Sequence, residues 1–164
     1  MLVLHGAKKT IRSDEFAYRT ATHVSTDLKK KLVAAGFEIY RTLPGSIALV
    51  ERVRENLILD SGIRLAPSAK GFTVRVIFRA EGRGFPGETE EQMLERARGL
   101  ASQAAVHDFE TVAQDVVPQM DPSHPGIELD RFFEVTAERE VLELEEAFAA
   151  IRVAFGWLRS VPAS

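Results

Sequence analysis

No cysteine occurs anywhere in the 164 residues, and that one absence excludes disulfides, thiolate zinc sites and cysteine nucleophiles together. It also removes the main argument for a secreted, disulfide-stapled scaffold. Long apolar runs are missing too: nothing approaches the roughly 18 residues of a membrane span. The first residues, Met1-Leu-Val-Leu-His-Gly6, hold too few apolar side chains before Lys8 and Lys9 to form a signal peptide. These absences predict a soluble, cytoplasmic chain with no membrane partner. Catalytic motifs are equally scarce. The sequence has no H-E-x-x-H and no G-x-S-x-G, and Lys70-Gly71 follows Pro67-Ser-Ala without the glycines of a Walker loop. The four histidines, His5, His23, His107 and His124, include no ligand pair at helical spacing. On a helix His107 and Asp108 point in different directions. Asp121 with His124 offers two metal ligands where a site needs more. No catalytic residue, metal or cofactor is assigned, and a carboxylate pair formed only by folding stays invisible at this level.

What is present begins with size and charge. A chain of this length favours one domain, burying about 70% of its unfolded surface without a staple. The formal net charge is −3, from 21 basic and 24 acidic residues. Residues 1–31 carry seven basic side chains against three acidic ones, a net of +4 that leaves −7 for the rest. A basic end permits contact with a polyanion. Reading bases needs aromatic or amide side chains as well, so nucleic acid is not the expected partner.

No segment repeats and none is of low complexity. Residues 1–22 have weak periodicity and read as a loosely ordered arm, with residues 23–161 forming a single α+β domain. A short helix is expected from Ser25 or Thr26, both good N-caps, with Leu28, Leu32 and Val33 on one face and Gly36 just past its end. Phe37 to Leu43 alternates as a strand, and Pro44-Gly45 supplies the centre of a type II turn. Ser46 to Asp60 is open between strand and helix, the tight turn favouring a returning strand. Leu57-Ile-Leu59, Ser61-Gly62 and Ile63-Arg-Leu65 read as short strands and turns feeding a strand from Phe72 to Phe78. Together these predict an antiparallel meander of about four or five strands. From Thr89 a helix is expected to carry Leu94, Ala97, Ala101, Ala104, Phe109, Val112 and Val116 on one face until Pro118 stops it, with Asp108 as a break point. Pro118 to Gly126 reads as an irregular loop and Ile127 to Val135 as a strand. A last helix, capped by Thr136, carries the stripe Val141, Leu144, Phe148, Ile151, Phe155 and Leu158.

Gly82-Arg-Gly-Phe-Pro-Gly87 satisfies G-x-G-x-x-G between a strand and a helix. A pyrophosphate would sit on the N-terminus of that helix. There Glu88, Glu90 and Glu91 crowd the anion position, and Thr89 with Gln92 predicts a capping box that uses the donors locally. Gly82, Arg83, Gly84 and Gly87 are therefore only secondary, ligand-loop candidates. Phe85 beside Pro86 is either folded onto the core or displayed as an aromatic anchor. Trp157, Val153 and Val161 fall off the stripe of the last helix, which implies surplus apolar surface there.

The expected architecture is α+β: the meander packed by two longer helices, with the short N-terminal helix at an edge. The order of helix, strands, helix, strand, helix resembles small secretion-chaperone-like folds in architecture. The expected function is a non-enzymatic interaction or adaptor protein, chaperone-like in form, binding a partner protein or itself as a homodimer. Its candidate contacts are Phe85, Pro86, Val153, Trp157 and Val161. The alternative is a small-ligand or nucleotide-binding domain or enzyme using the Gly82–Gly87 loop.

Overall fold

The computed structural model describes residues 26–160. The arm expected over residues 1–22 and the contact candidate Val161 lie outside them. The first helix, α1 (residues 26–34), buries Leu28 and Leu32 and leaves Val33 exposed, contrary to its expected place on the apolar face. Gly36 follows with φ +94°, the left-handed residue that ends the helix. Strands β1 (Ile39–Leu43), β2 (Ser46–Arg54), β3 (Leu57–Ser68) and β4 (Gly71–Glu81) form a meander, then helix α2 (Glu90–Ala105) leads to β5 (Glu110–Met120), β6 (Glu128–Val141) and helix α3 (Leu144–Ser160). A 3-10 turn over Gly82–Gly84 joins β4 to the segment before α2. The sheet is antiparallel throughout, with strand order β1-β2-β3-β4-β6-β5. It has six strands, not four or five, because two stretches read as helix or loop joined it.

The first is β5. The β-branched run Thr111-Val112 and the pair Val116-Val117 fit a pleated surface better than a helix. Helix α2 stops at Ala105, and Asp108 at φ +64° turns the chain into the strand. Pro118 does not end a helix; it sits in an edge strand, where its missing N–H leaves no gap in an interior ladder. The second is the end of β6. Thr136, Glu138 and Glu140, expected to open the last helix, instead continue the strand, because Phe132–Val141 pairs residue for residue with Glu81–Phe72 of β4. Tertiary pairing overrides the local helix signal.

Alternation along β4 fixes the core. Val74, Val76, Phe78 and Ala80 are buried, while Arg75 and Arg79 are exposed and ion-paired with Glu138 and Glu134 of β6. Helix α2 adds Met93, Ala97, Ala101 and Ala104, and α3 adds Ala147, Phe148, Ala150, Ile151, Ala154 and Trp157. Each large apolar side chain fully buried this way contributes about 1.5–3 kcal/mol. The alanines let the helix backbones approach closely, leaving depth for the one tryptophan.

Candidate interaction site

A break in β3 shapes the most distinctive surface of the molecule. The β2–β3 register passes from Ala48↔Arg64 to Val50↔Asp60, so Leu49 alone faces Ser61, Gly62 and Ile63. Gly62 absorbs this bulge with φ +78°, and a Cβ there would stand 2.7 Å from the carbonyl oxygen of Ile77. Side chains replace the lost ladder. The Gly62 N–H donates to Asp60 Oδ1 at 2.9 Å, the Ile63 N–H donates to Ser61 Oγ at 3.1 Å, and Ser61 Oγ donates to the Leu49 carbonyl at 2.7 Å. Arg64 clamps Asp60 through both guanidinium nitrogens at 2.6 and 2.7 Å. Burial pushes the Asp60 carboxyl pKa up, but the hydrogen bonds from Arg64 and from the Gly62 N–H outweigh it and hold it below the usual value.

Beyond the bulge β3 and β4 part. Their ladder covers Ile63–Ser68 against Gly71–Val76. From Ile77 to Glu81 β4 pairs only with β6, and from Leu57 to Asp60 β3 pairs only with β2, among the described residues. A cleft of ≈470 Å³ opens between the two strand edges. Glu51, Leu59 and Asp60 form one wall; Ile77, Arg79 and Glu81 form the other. Phe78, Leu100, Gln103, Trp157 and Leu158 close the back. The closeness of the Ile77 carbonyl to Gly62 puts the peptide groups of Ile77 on the β3 side. By strand alternation the N–H and C=O of Arg79 and Glu81 point the same way, into the cleft.

The β2–β3 hairpin beyond the bulge stands out as an arm. Arg52 ties it down, donating to both carboxylate oxygens of Glu38 at 3.0 and 2.6 Å and to the Glu55 carbonyl at 2.9 Å. Val53, Leu57, Ile58 and Leu59 are 37–50% exposed along it. Successive exposed apolar residues on a strand mark a contact surface or a liability. The outer edges of the sheet are better guarded: β1 is five residues long with a register shift after Ile39, and β5 carries Pro118 and a shift at Thr111/Ala113.

The candidates named from sequence lie elsewhere, except one. Trp157 was expected at the surface of α3. It is instead 7% exposed, packed on Phe78, edge-on to Phe109 and against His107 with ring centroids 5.3–5.9 Å apart. The buried face of α3 takes in Ala147, Ala150, Ala154 and Trp157 beside Phe148 and Ile151 of the expected stripe, and reading only the large side chains narrowed it. Val153 is 37% exposed. Phe85 is half-buried against the core, and the Arg96 guanidinium lies 3.8 Å over its ring; Pro86 is exposed. Arg96 in turn clamps Glu88 at 2.6 and 2.5 Å, which lowers the Glu88 pKa.

In the glycine loop several backbone donors are already used within the chain. The Arg83 N–H goes to Asp130 at 2.8 Å, and both arms of the capping box are formed, Thr89 N–H to Gln92 Oε1 at 2.8 Å and Gln92 N–H to Thr89 Oγ1 at 3.2 Å. The cavity of ≈380 Å³ beside Gly82 and Gly87 is lined by Glu88, Glu90, Glu128 and Asp130, with Arg131 bound to Glu128 and Glu90 among them. Four carboxylates against one guanidinium disfavour a phosphate there. Asp121 and His124 do meet, at 3.2 Å, but as a pair within one turn. Among the described residues no group of three or more His, Asp or Glu is placed to hold a metal, and no helix is long and apolar enough to cross a membrane. The cleft was missed from sequence, although an isolated glycine inside a strand pattern, Ser61-Gly62, is the usual sign of a bulge. No protein-family model, no curated protein and no solved structure matches this chain.

Proposed function

We propose that the protein is a non-enzymatic interaction module, an adaptor that takes an extended segment of a partner protein into the cleft between β3 and β4 by strand addition. The observation that carries this reading is the edge of β4 at Ile77–Glu81, unpaired among the described residues, beside a cleft backed by Phe78, Leu100, Trp157 and Leu158. Main-chain hydrogen bonds to such an edge give affinity, and pockets under alternate side chains give selectivity. The apolar arm adds a second contact surface along the same mouth. Self-association through α3, by contrast, keeps only Val153 of its expected apolar excess among the described residues. A second reading, a small apolar ligand, is favoured by the size of the cleft, since small-molecule pockets span roughly 300–1,000 Å³.

Site-specific photo-cross-linking tests the interaction reading. A photoreactive residue at Leu59, in the cleft, is expected to give a discrete protein adduct, and one at Lys70, at the far hairpin turn, is expected to give none. Equal labelling from both positions, or no adduct from Leu59, refutes it.

A further inference from the structure

We infer that the cleft takes a cationic strand from another protein: a segment with apolar side chains at every second position and a lysine or arginine at each end. The inference rests on the strand-addition reading above and adds the chemistry of the occupant. A segment hydrogen-bonded to Arg79 and Glu81 must alternate its side chains between two faces. One face meets the back of the cleft, where Phe78, Leu100, Trp157 and Leu158 stand. That contact selects apolar side chains at alternate positions.

Charge selects the rest. Of the three carboxylates that line the cleft, Asp60 is held by Arg64. Two are not. Glu51 on the arm wall and Glu81 on the β4 wall have no ion-pair partner among the described residues. The arginine lining the cleft does not offset them, because Arg79 binds Glu134 and stacks at 4.3 Å on the Phe132 ring. The cleft lining therefore carries two carboxylates outside any ion pair among the described residues, and Glu51 also borders the neighbouring groove that Arg152 lines. An acidic segment is repelled from the cleft and a basic one is steered in.

The test uses the full chain and two blocked heptapeptides, Lys-Val-Thr-Val-Thr-Val-Lys and the same peptide with glutamates in place of both lysines. Trp157 is the sole tryptophan and lines the cleft, so its fluorescence reports occupancy directly. Hydrogen exchange at the Arg79 and Glu81 amides reports backbone pairing. The lysine peptide is expected to shift the emission and slow exchange at both amides, with the glutamate peptide binding at least about tenfold more weakly. Glu81→Gln should weaken the lysine peptide by about fivefold, the upper worth of one surface ion pair. Glu81→Pro, which also removes an N–H facing the cleft, should weaken it further while the fold tolerates it.

Equal binding of the two peptides overturns the cationic inference and leaves strand addition standing. Absence of protection with either peptide overturns both. Protection already present without peptide also overturns the inference. If it rises with protein concentration, a second copy fills the cleft; if it is lost on deleting residues 1–22, the chain's own N-terminal segment does.

Discussion

The two halves of β4 share one apolar alternation and one partner, β6, yet they differ in what lies on their other side. Gly71–Val76 is paired with β3, and Ile77–Glu81 faces a cleft. The strand itself does not explain the difference, since Val74 and Phe78 are equally core residues, 0% and 5% exposed. The neighbour explains it. Two additional residues in β3 at the Ser61–Gly62 bulge turn the β2–β3 arm away, and Asp60, Ser61 and Arg64 satisfy the backbone groups that the turn would orphan. A split in a sheet is stable only when such groups find partners, since a buried unpaired N–H costs about 1–3 kcal/mol. Here the divergence is built into the interior hydrogen bonding.

The divergence of the two strands depends most on the back of the cleft. Trp157→Ala should cost about 3–5 kcal/mol in urea unfolding, as removal of a buried aromatic does. A loss under about 1 kcal/mol would return Trp157 to the surface and remove the back wall. At the bulge, Gly62→Ala forces a side chain into a left-handed conformation against the Ile77 carbonyl and should cost at least about 2 kcal/mol. Gly84→Ala, with nothing within 4 Å of the added Cβ, should change stability by about 0.5 kcal/mol or less. Equal effects at the two glycines would mean that β3 and β4 do not touch at Gly62.

Asp60→Ala should cost about 2 kcal/mol at pH 7, below the 3–5 of a fully buried pair because a quarter of the Asp60 side chain is exposed. The folded-state pKa of Asp60 lies below its unfolded value near 4. The contribution is thus complete above that pH and lost as the pH falls through the lower, folded value. Wild type and variant should converge only in acid, and a gap that instead narrows between pH 6 and 8 would point to another group. The smallest effect belongs to the arm. Ile58→Lys, at a position 46% exposed, should change stability by no more than about 0.5 kcal/mol. A loss above about 1 kcal/mol would show the arm already covered.

Much of the fold is legible in the chain. The left-handed Gly36, the Pro44-Gly45 turn, the capping box at Thr89 and Gln92 and the strand through Phe72–Phe78 all rest on rules spanning a few residues. The readings that failed needed information from further away. Val112 and Val116 suit one face of a helix as well as one face of a strand, and only the pairing of β5 with β6, Thr111 with Ala137 and Val116 with Phe133, decides between them. Glu138 and Glu140 suit the first turn of a helix until β4 claims them. Trp157 was misplaced for a different reason: alanines carry little weight in an apolar stripe, although they mark where a helix approaches most closely.

Local chemistry by itself determined the class of this protein: no thiol chemistry, an α+β alternation of elements, a glycine loop whose anion position is filled by glutamates, and a turn wherever proline and glycine demanded one. Those properties depend on side chains a few residues apart, and they hold in any compact arrangement. The tertiary structure alone decided that β3 and β4 separate, that Trp157 backs the cleft, and that Glu51 and Glu81 both line it with no ion-pair partner among the described residues. These features join residues 51, 60, 81 and 157, which lie far apart along the chain. Their meeting depends on the register of β2 against β3, and a shift of one residue there would send every side chain on the arm to the opposite face.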